Sequence, residues 1–158
     1  MRKLHTILVF AQNRRGVLER ITMLIRKKMY NLEQITASDT EKKGIKRITI
    51  SFSHEEGVKL PQIISQIHSV IEVIEVRLVD KNNCLQQEVA LIKIKSPDNI
   101  SEIIALSDLF ESKVLHVSKA DIVLQITASP DKIDEFLLIL EKFEILEIGR
   151  SGSVAMEI

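Results

Sequence analysis

The apolar residues of this chain switch between two spacings, every second position and every third or fourth, and the switches mark its elements. Over residues 3–12, Leu4, Thr6, Leu8 and Phe10 fall on one face of an extended segment, and His5, Ile7, Val9 and Ala11 on the other. Both faces are largely apolar, which predicts an inner strand covered by helices on one side. Residues 17–28 then read as a helix with Leu18, Ile21, Leu24 and Ile25 on one stripe and Glu19, Arg20, Arg26 and Lys27 on the wet side. Residues 31–40 are extended but weakly patterned, and EKKG at 41–44 reads as a hairpin turn closed by glycine. Over 45–53, Ile48, Ile50 and Phe52 alternate with Arg47, Thr49 and Ser51, a strand expected to bury one face and expose the other. A second helix carries Pro61 near its first turn, where the missing N–H costs nothing, and Leu60, Ile63, Ile64, Ile67 and Ile71 along its stripe. Ile74, Val76 and Leu78 alternating with Glu75, Arg77 and Val79 give a fourth strand. The order is βαββαβ, the ferredoxin-like arrangement.

DKNNC at 80–84 is polar and turn-prone and marks a domain boundary. The second half repeats the order, with a strand at 89–95, a helix striped by Ile100, Ile103, Ile104 and Phe110, and a strand pair at 113–118 and 121–127. Ser129 and Pro130 cap and open a helix bearing Ile133, Phe136, Leu137 and Leu140. A last core strand at 145–148 precedes a tail, GRSGSVAMEI. The fold class is therefore α+β, two ferredoxin-like βαββαβ domains in tandem, over residues 1–80 and 86–158. Identity between the halves is slight, and one difference matters. Asn13, Arg14, Arg15 and Gly16 follow the first strand, whereas SPDN at 96–99 holds no glycine at the matching place. Only the first half is expected to bind a small molecule.

Composition narrows the function. At 158 residues, 45% hydrophobic and 28% charged, the chain builds a packed core and is not disordered. A formal net charge of zero and 4% aromatic residues argue against nucleic acid, which on such a sheet needs basic surroundings and exposed aromatics. RKK at 26–28 sits at a helix C-terminus, where cations meet the dipole anyway. Cys84 is the single cysteine, so a reducing compartment is expected, and no apolar run reaches the roughly 20 residues of a membrane span. The start, MRKLHTILVF, alternates like a strand and not like a signal peptide. A cytoplasmic location follows as the expectation.

Catalytic groups are not legible. His5, His54, His68 and His116 lie in separate elements without metal-ligand spacing, and Cys84 has no histidine near it in sequence. Glu55 and Glu56 precede a helix, where carboxylates favour the dipole. The turn NRRG remains. A glycine turn from strand to helix leaves backbone N–H groups free at the positive helix end, where a small carboxylate docks. Asn13 and Gly16 read equally as a helix start, with Asn13 the side-chain cap, or as ligand contacts. Asn31 reads as a strand-entry residue or as a polar group reaching a ligand.

The run N-x-x-G-V-L-x-R-I-x-x-L-I-x-x-x-x-Y-N-L-E-x-I-T, set by Asn13, Gly16, Val17, Leu18, Arg20, Ile21, Tyr30, Asn31, Leu32, Glu33, Ile35 and Thr36, resembles the opening of the acetolactate synthase (acetohydroxyacid synthase) small, regulatory subunits. QEVALIKI at 87–94 and RSGSVAM at 150–156 resemble that family's signatures at matching places. The resemblance covers nearly the whole chain and implies that the first domain is an ACT domain. It implies two such domains side by side as a homodimer, with a branched-chain amino acid, usually valine, between them. The implied effector residues are Asn13, Arg15, Gly16, Val17, Leu18 and Asn31, the last reaching in from the partner chain. The implied role is to activate a catalytic large subunit and confer feedback inhibition in branched-chain amino-acid biosynthesis. That large subunit would carry thiamine diphosphate, magnesium and FAD, with no cofactor or metal on this chain. Members of that family commonly carry glycine where this chain has Met29, and Arg14 and Arg15 add positive potential near a carboxylate. The rival reading is a free-standing ACT-type sensor acting on another enzyme or on transcription, although no basic helix-turn-helix segment is visible.

Overall fold

The computed structural model describes residues 3–28, 30–54, 60–97 and 99–158. Met29 and the Glu55–Glu56 pair lie outside them. The chain divides into two compact units, Met1–Leu85 with Val154–Ile158, and Gln86–Ser153.

The first unit runs β1 (Lys3–Gln12), α1 (Val17–Lys27), β2 (Asn31–Asp39), β3 (Ile45–His54), α2 (Leu60–His68) and β4 (Val73–Leu78). The strands form one antiparallel sheet in the order β2-β3-β1-β4, the ferredoxin-like order the periodicity predicts. Ile7, Val9 and Ala11 of β1 pack with Ile48, Ile50 and Phe52 of β3 under Val17, Ile21 and Ile25 of α1 and Ile63 and Ile67 of α2. Tyr30 closes this core edge-on to Phe52, 5.1 Å between centroids.

Several expectations need correction here. The buried stripe of α1 is Val17, Ile21 and Ile25, with Leu24 partly buried, while Leu18 is 42% exposed. A helix beginning at Gly16 directs Val17 and its i+4 and i+8 neighbours at the sheet, which turns Leu18 outward. Ile71 lies in the turn after α2 and is exposed, and Val70 packs in its place. The supposed wet face of β3 is not wet: Thr49 and Ser51 are buried, and the Thr6 and Ser51 hydroxyls hydrogen-bond at 2.9 Å. Leu8 and Thr6 of β1 flank them on one side and Thr36 and Gln34 of β2 on the other. The guanidinium of Arg47 donates to the carbonyl of Ala155.

The second unit takes up β5 (Cys84–Lys95) from Gln86 onward, its first two residues and Val154–Ile158 belonging to the first unit, then α3 (Ser101–Leu109), β6 (Lys113–Val117), β7 (Asp121–Ala128), α4 (Pro130–Leu140) and β8 (Ile145–Arg150). Its order, β6-β7-β5-β8, repeats the first sheet position for position. Ala90, Ile92, Ile94, Ile122, Leu124 and Ile126 pack under Ile103, Ile133, Phe136 and Leu140. On α3 the buried pair is Ile103 and Ser107, one turn apart, so Ile104 is exposed and outside the stripe. β8 is an edge strand whose Ile145 packs against the core, whereas Leu146 and Ile148 are 48% and 44% exposed. The expected tail instead contains a ninth strand, β9 (Val154–Glu157), which pairs with β5.

Candidate functional site

The turn between β1 and α1 is pinned from outside itself. The Gln12 amide donates to the Glu72 carbonyl and the Asn13 amide to the Gly44 carbonyl, both at 2.8 Å. Gly44 closes the β2–β3 hairpin at φ +83°, a left-handed conformation that glycine adopts without strain. Gly16 is likewise left-handed at φ +80°, and a Cβ there would meet Arg20 Nη1 at 3.4 Å. The Gly16 carbonyl accepts the first helical bond, from the Arg20 amide at 3.0 Å.

This geometry leaves donors unused. The amides of Arg15, Gly16, Leu18 and Glu19 hydrogen-bond to no described residue, and that of Val17 makes only a 3.5 Å contact with the Arg14 carbonyl. Asn13 does not cap the helix: the N-cap position is Gly16, and no side chain bonds to the first turn. The reason is local, because the left-handed residue three positions on places the helix start beyond Asn13. Its side chain is exposed and bonds to no described residue. What results is a cluster of free N–H groups at the positive end of α1, flanked by an exposed amide and by exposed Arg14 and Arg15. The nearby carboxylate of Glu72 is engaged by Arg20. A hydrogen bond from its own backbone amide, more than the Arg20 guanidinium, holds its pKa below the ordinary carboxylate value. The turn therefore offers hydrogen-bond donors and positive charge, the complement of a small carboxylate.

Of the sequence-predicted residues, Asn13, Arg15, Gly16 and Leu18 meet at this turn, exposed. Val17 is 4% exposed and serves the core, presenting at most its amide. Asn31 is elsewhere. It pairs with Ser53 on β3, whereas Gln12, next to Asn13, pairs with Ile45. The eight steps from Ile45 to Ser53 span about 26 Å of strand. At that far end the Asn31 side chain donates to Glu33 at 2.7 Å, and Glu33 also accepts from the Ser53 hydroxyl at 2.5 Å. Sequence reading missed Glu72 and gave Gly44 and Arg20 no part in holding the turn. Gly44 was marked by its turn, but its contact with Asn13 depends on sheet register.

The second half joins two separated sequence blocks. Glu88, 2% exposed, takes a two-pronged bond from Arg150, at 2.6 Å from Nε and 3.0 Å from Nη2, and Arg150 also donates to Asp134 at 2.5 Å. Glu88 holds the Arg150 guanidinium more firmly protonated than usual. The Ser151 amide and hydroxyl both bond to the backbone of Val89. Among the described residues no cluster of three or more His, Cys, Asp or Glu could hold a metal ion, and no helix is long and apolar enough to cross a membrane.

The motifs so assembled have close counterparts. A family model for the small subunit of acetolactate synthase matches residues 87–158, and one for the AHAS small subunit-like ACT domain matches residues 7–75. The acetolactate synthase small subunit of Bacillus subtilis is 36% identical over 156 residues, 98% of this chain and 90% of that protein. That of Mycolicibacterium smegmatis is 33% identical over 153 residues, 96% of this chain and 89% of its own. The crystal structure of the small subunit from Thermotoga maritima superposes with a TM-score of 0.88 at 28% identity, covering 99% of this chain and 98% of that one. With both halves and nearly the full length matched, this chain belongs to the acetolactate synthase small-subunit family, and its first half is an ACT domain.

Proposed function

We propose that this chain is the regulatory partner of a catalytic acetolactate synthase large subunit, which it activates and to which it confers feedback inhibition by a branched-chain amino acid, valine first. The supporting observation is the free amide set at Arg15, Gly16, Leu18 and Glu19 beside the uncommitted side chain of Asn13. These groups suit the carboxylate of an amino acid, and exposed Leu18 supplies apolar surface for its side chain. Two copies pair side by side along the edge strand β2, and Asn31 completes the pocket from the partner chain. The roughly 26 Å between Asn31 and its own turn favours that arrangement over a pocket within one chain. Valine stabilises one form of the pair, which couples less productively to the large subunit. A coupling of about 1–3 kcal/mol is sufficient for such control. Thiamine diphosphate, magnesium and FAD belong to the large subunit, and the complex works in the cytoplasm.

The test is a thermal-shift titration with the twenty amino acids, followed by acetolactate synthesis by the large subunit with and without this chain. Valine, leucine or isoleucine raises the melting temperature, and this chain raises turnover in a valine-sensitive way. Co-purification without any amino-acid response would remove the sensing role and leave activation. A response without a complex would favour a free-standing sensor.

A further inference from the structure

The face of the first sheet that turns away from α1 and α2 is covered in part by Val154–Ile158. Ala155 is fully buried against Leu8 and Val79, with Phe10 and Cys84 packed around them. Arg47 and Arg77 both stack on the Phe10 ring, at 5.4 and 5.2 Å from its centroid. Each also holds the C-terminal segment. Arg47 donates to the Ala155 carbonyl, and Arg77 bonds to Glu157 at 2.9 Å. The Ile158 amide donates to the Asn83 carbonyl at 3.1 Å.

We propose that Val154–Ile158 is a releasable clip whose seating holds the end of β1, and with it the turn at residues 13–18, in place. Three observations carry the inference. The clip buries little beside its strand pairing and polar bonds: Ala155 is its one buried residue, whereas Val154, Met156 and Ile158 are 47%, 58% and 78% exposed. Its seating also carries a cost, because Arg47 Nε is buried without a partner among the described residues. Finally, the clip bears on a soft point of the sheet. Phe10 lies opposite Arg47 on β3 and Glu75 on β4, and the β1–β4 register shifts between Phe10 and Ala11. Directly after that shift come the Gln12 and Asn13 amides, whose bonds to Glu72 and Gly44 set the turn. A clip that fixes the Phe10 layer fixes the irregular strand end from which the turn departs. Because segments of low local stability open independently of the rest, clip and turn form one opening unit. The clip thus acts on the turn whether or not that turn takes an amino acid.

Cys84, the only cysteine, packs beside Ala155, and burial pushes its thiol pKa up, so its reactivity reports clip release. The test compares the full chain with a variant ending at Ser153. It follows Cys84 labelling by an aromatic disulfide reagent and amide hydrogen exchange at Gln12, Asn13, Ile122 and Leu124. The expected result is labelling and exchange at Gln12 and Asn13 each faster by about tenfold, with Ile122 and Leu124 unchanged. Faster labelling with unchanged exchange at Gln12 and Asn13 would overturn the link. So would no change at any position, or an equal rise at all of them, which is global unfolding. Should the shortened chain not fold, Arg47→Gln is read in the same way. Glu157→Gln, which loses only an exposed ion pair, is expected to accelerate both probes by less than about threefold.

Discussion

The two strand-to-helix turns occupy the same place in two units of the same topology, yet one side chain separates their helix starts. After β1, left-handed Gly16 begins α1 with the amides of Arg15, Gly16, Leu18 and Glu19 unpaired. After β5, the Ser96 amide donates to the Ala120 carbonyl, and Asn99 turns its side chain back to accept from the Ser101 amide at 3.0 Å. Asn99 thus satisfies one donor of the second helix start, whereas no side chain caps the first, and the proposed amino-acid site rests on that difference. A shared fold carries the framework, and a few turn residues decide whether a ligand has a place in it.

The largest expected effect lies away from both turns and separates stability from sensing. Arg150→Ala removes the two-pronged guanidinium bond from the buried carboxylate of Glu88. It is expected to cost about 3 kcal/mol of stability, read by chemical denaturation, while valine still raises the melting temperature of whatever remains folded. Gly16→Ala attacks the comparison directly. A side chain at φ +80° costs about 1–2 kcal/mol, and the valine-induced shift should vanish because the amides no longer converge. Asn99→Ala asks the converse question of the second turn. It removes the bond to the Ser101 amide at a cost of about 1 kcal/mol, and no amino-acid response should arise in the second unit. The smallest effect concerns pH. The Glu72 pKa is lower in the folded chain than its ordinary value. Its contribution is therefore present above the ordinary carboxylate pKa and lost as pH falls through the lowered one. Glu72→Gln should flatten that acid limb in thermal melts taken between pH 3 and pH 7.

Most of the architecture was legible because alternation and helical spacing are local signals, and both βαββαβ orders follow from them. The errors share a cause. Thr49 and Ser51 of β3 look solvent-facing by alternation alone, yet cross-strand neighbours, and at Arg47 a carbonyl 108 residues further on, close that face. Ile104 and Leu18 match a helical stripe in sequence but sit outside it, since the stripe's phase is fixed by where each helix begins. At the turn, Asn13, Arg15, Gly16 and Leu18 were visible as a motif. The anchors Glu72 and Gly44 were not, because only sheet register brings their carbonyls to Gln12 and Asn13.

The account stands on the first turn being the amino-acid receptor. Its most direct test is an amide chemical-shift titration of the full chain with valine. The account predicts saturable shifts at Arg15, Gly16, Leu18 and Glu19, and none at Asn99 or Ser101. Saturation with those four amides unmoved, or with the shifts confined to the second unit, would contradict it.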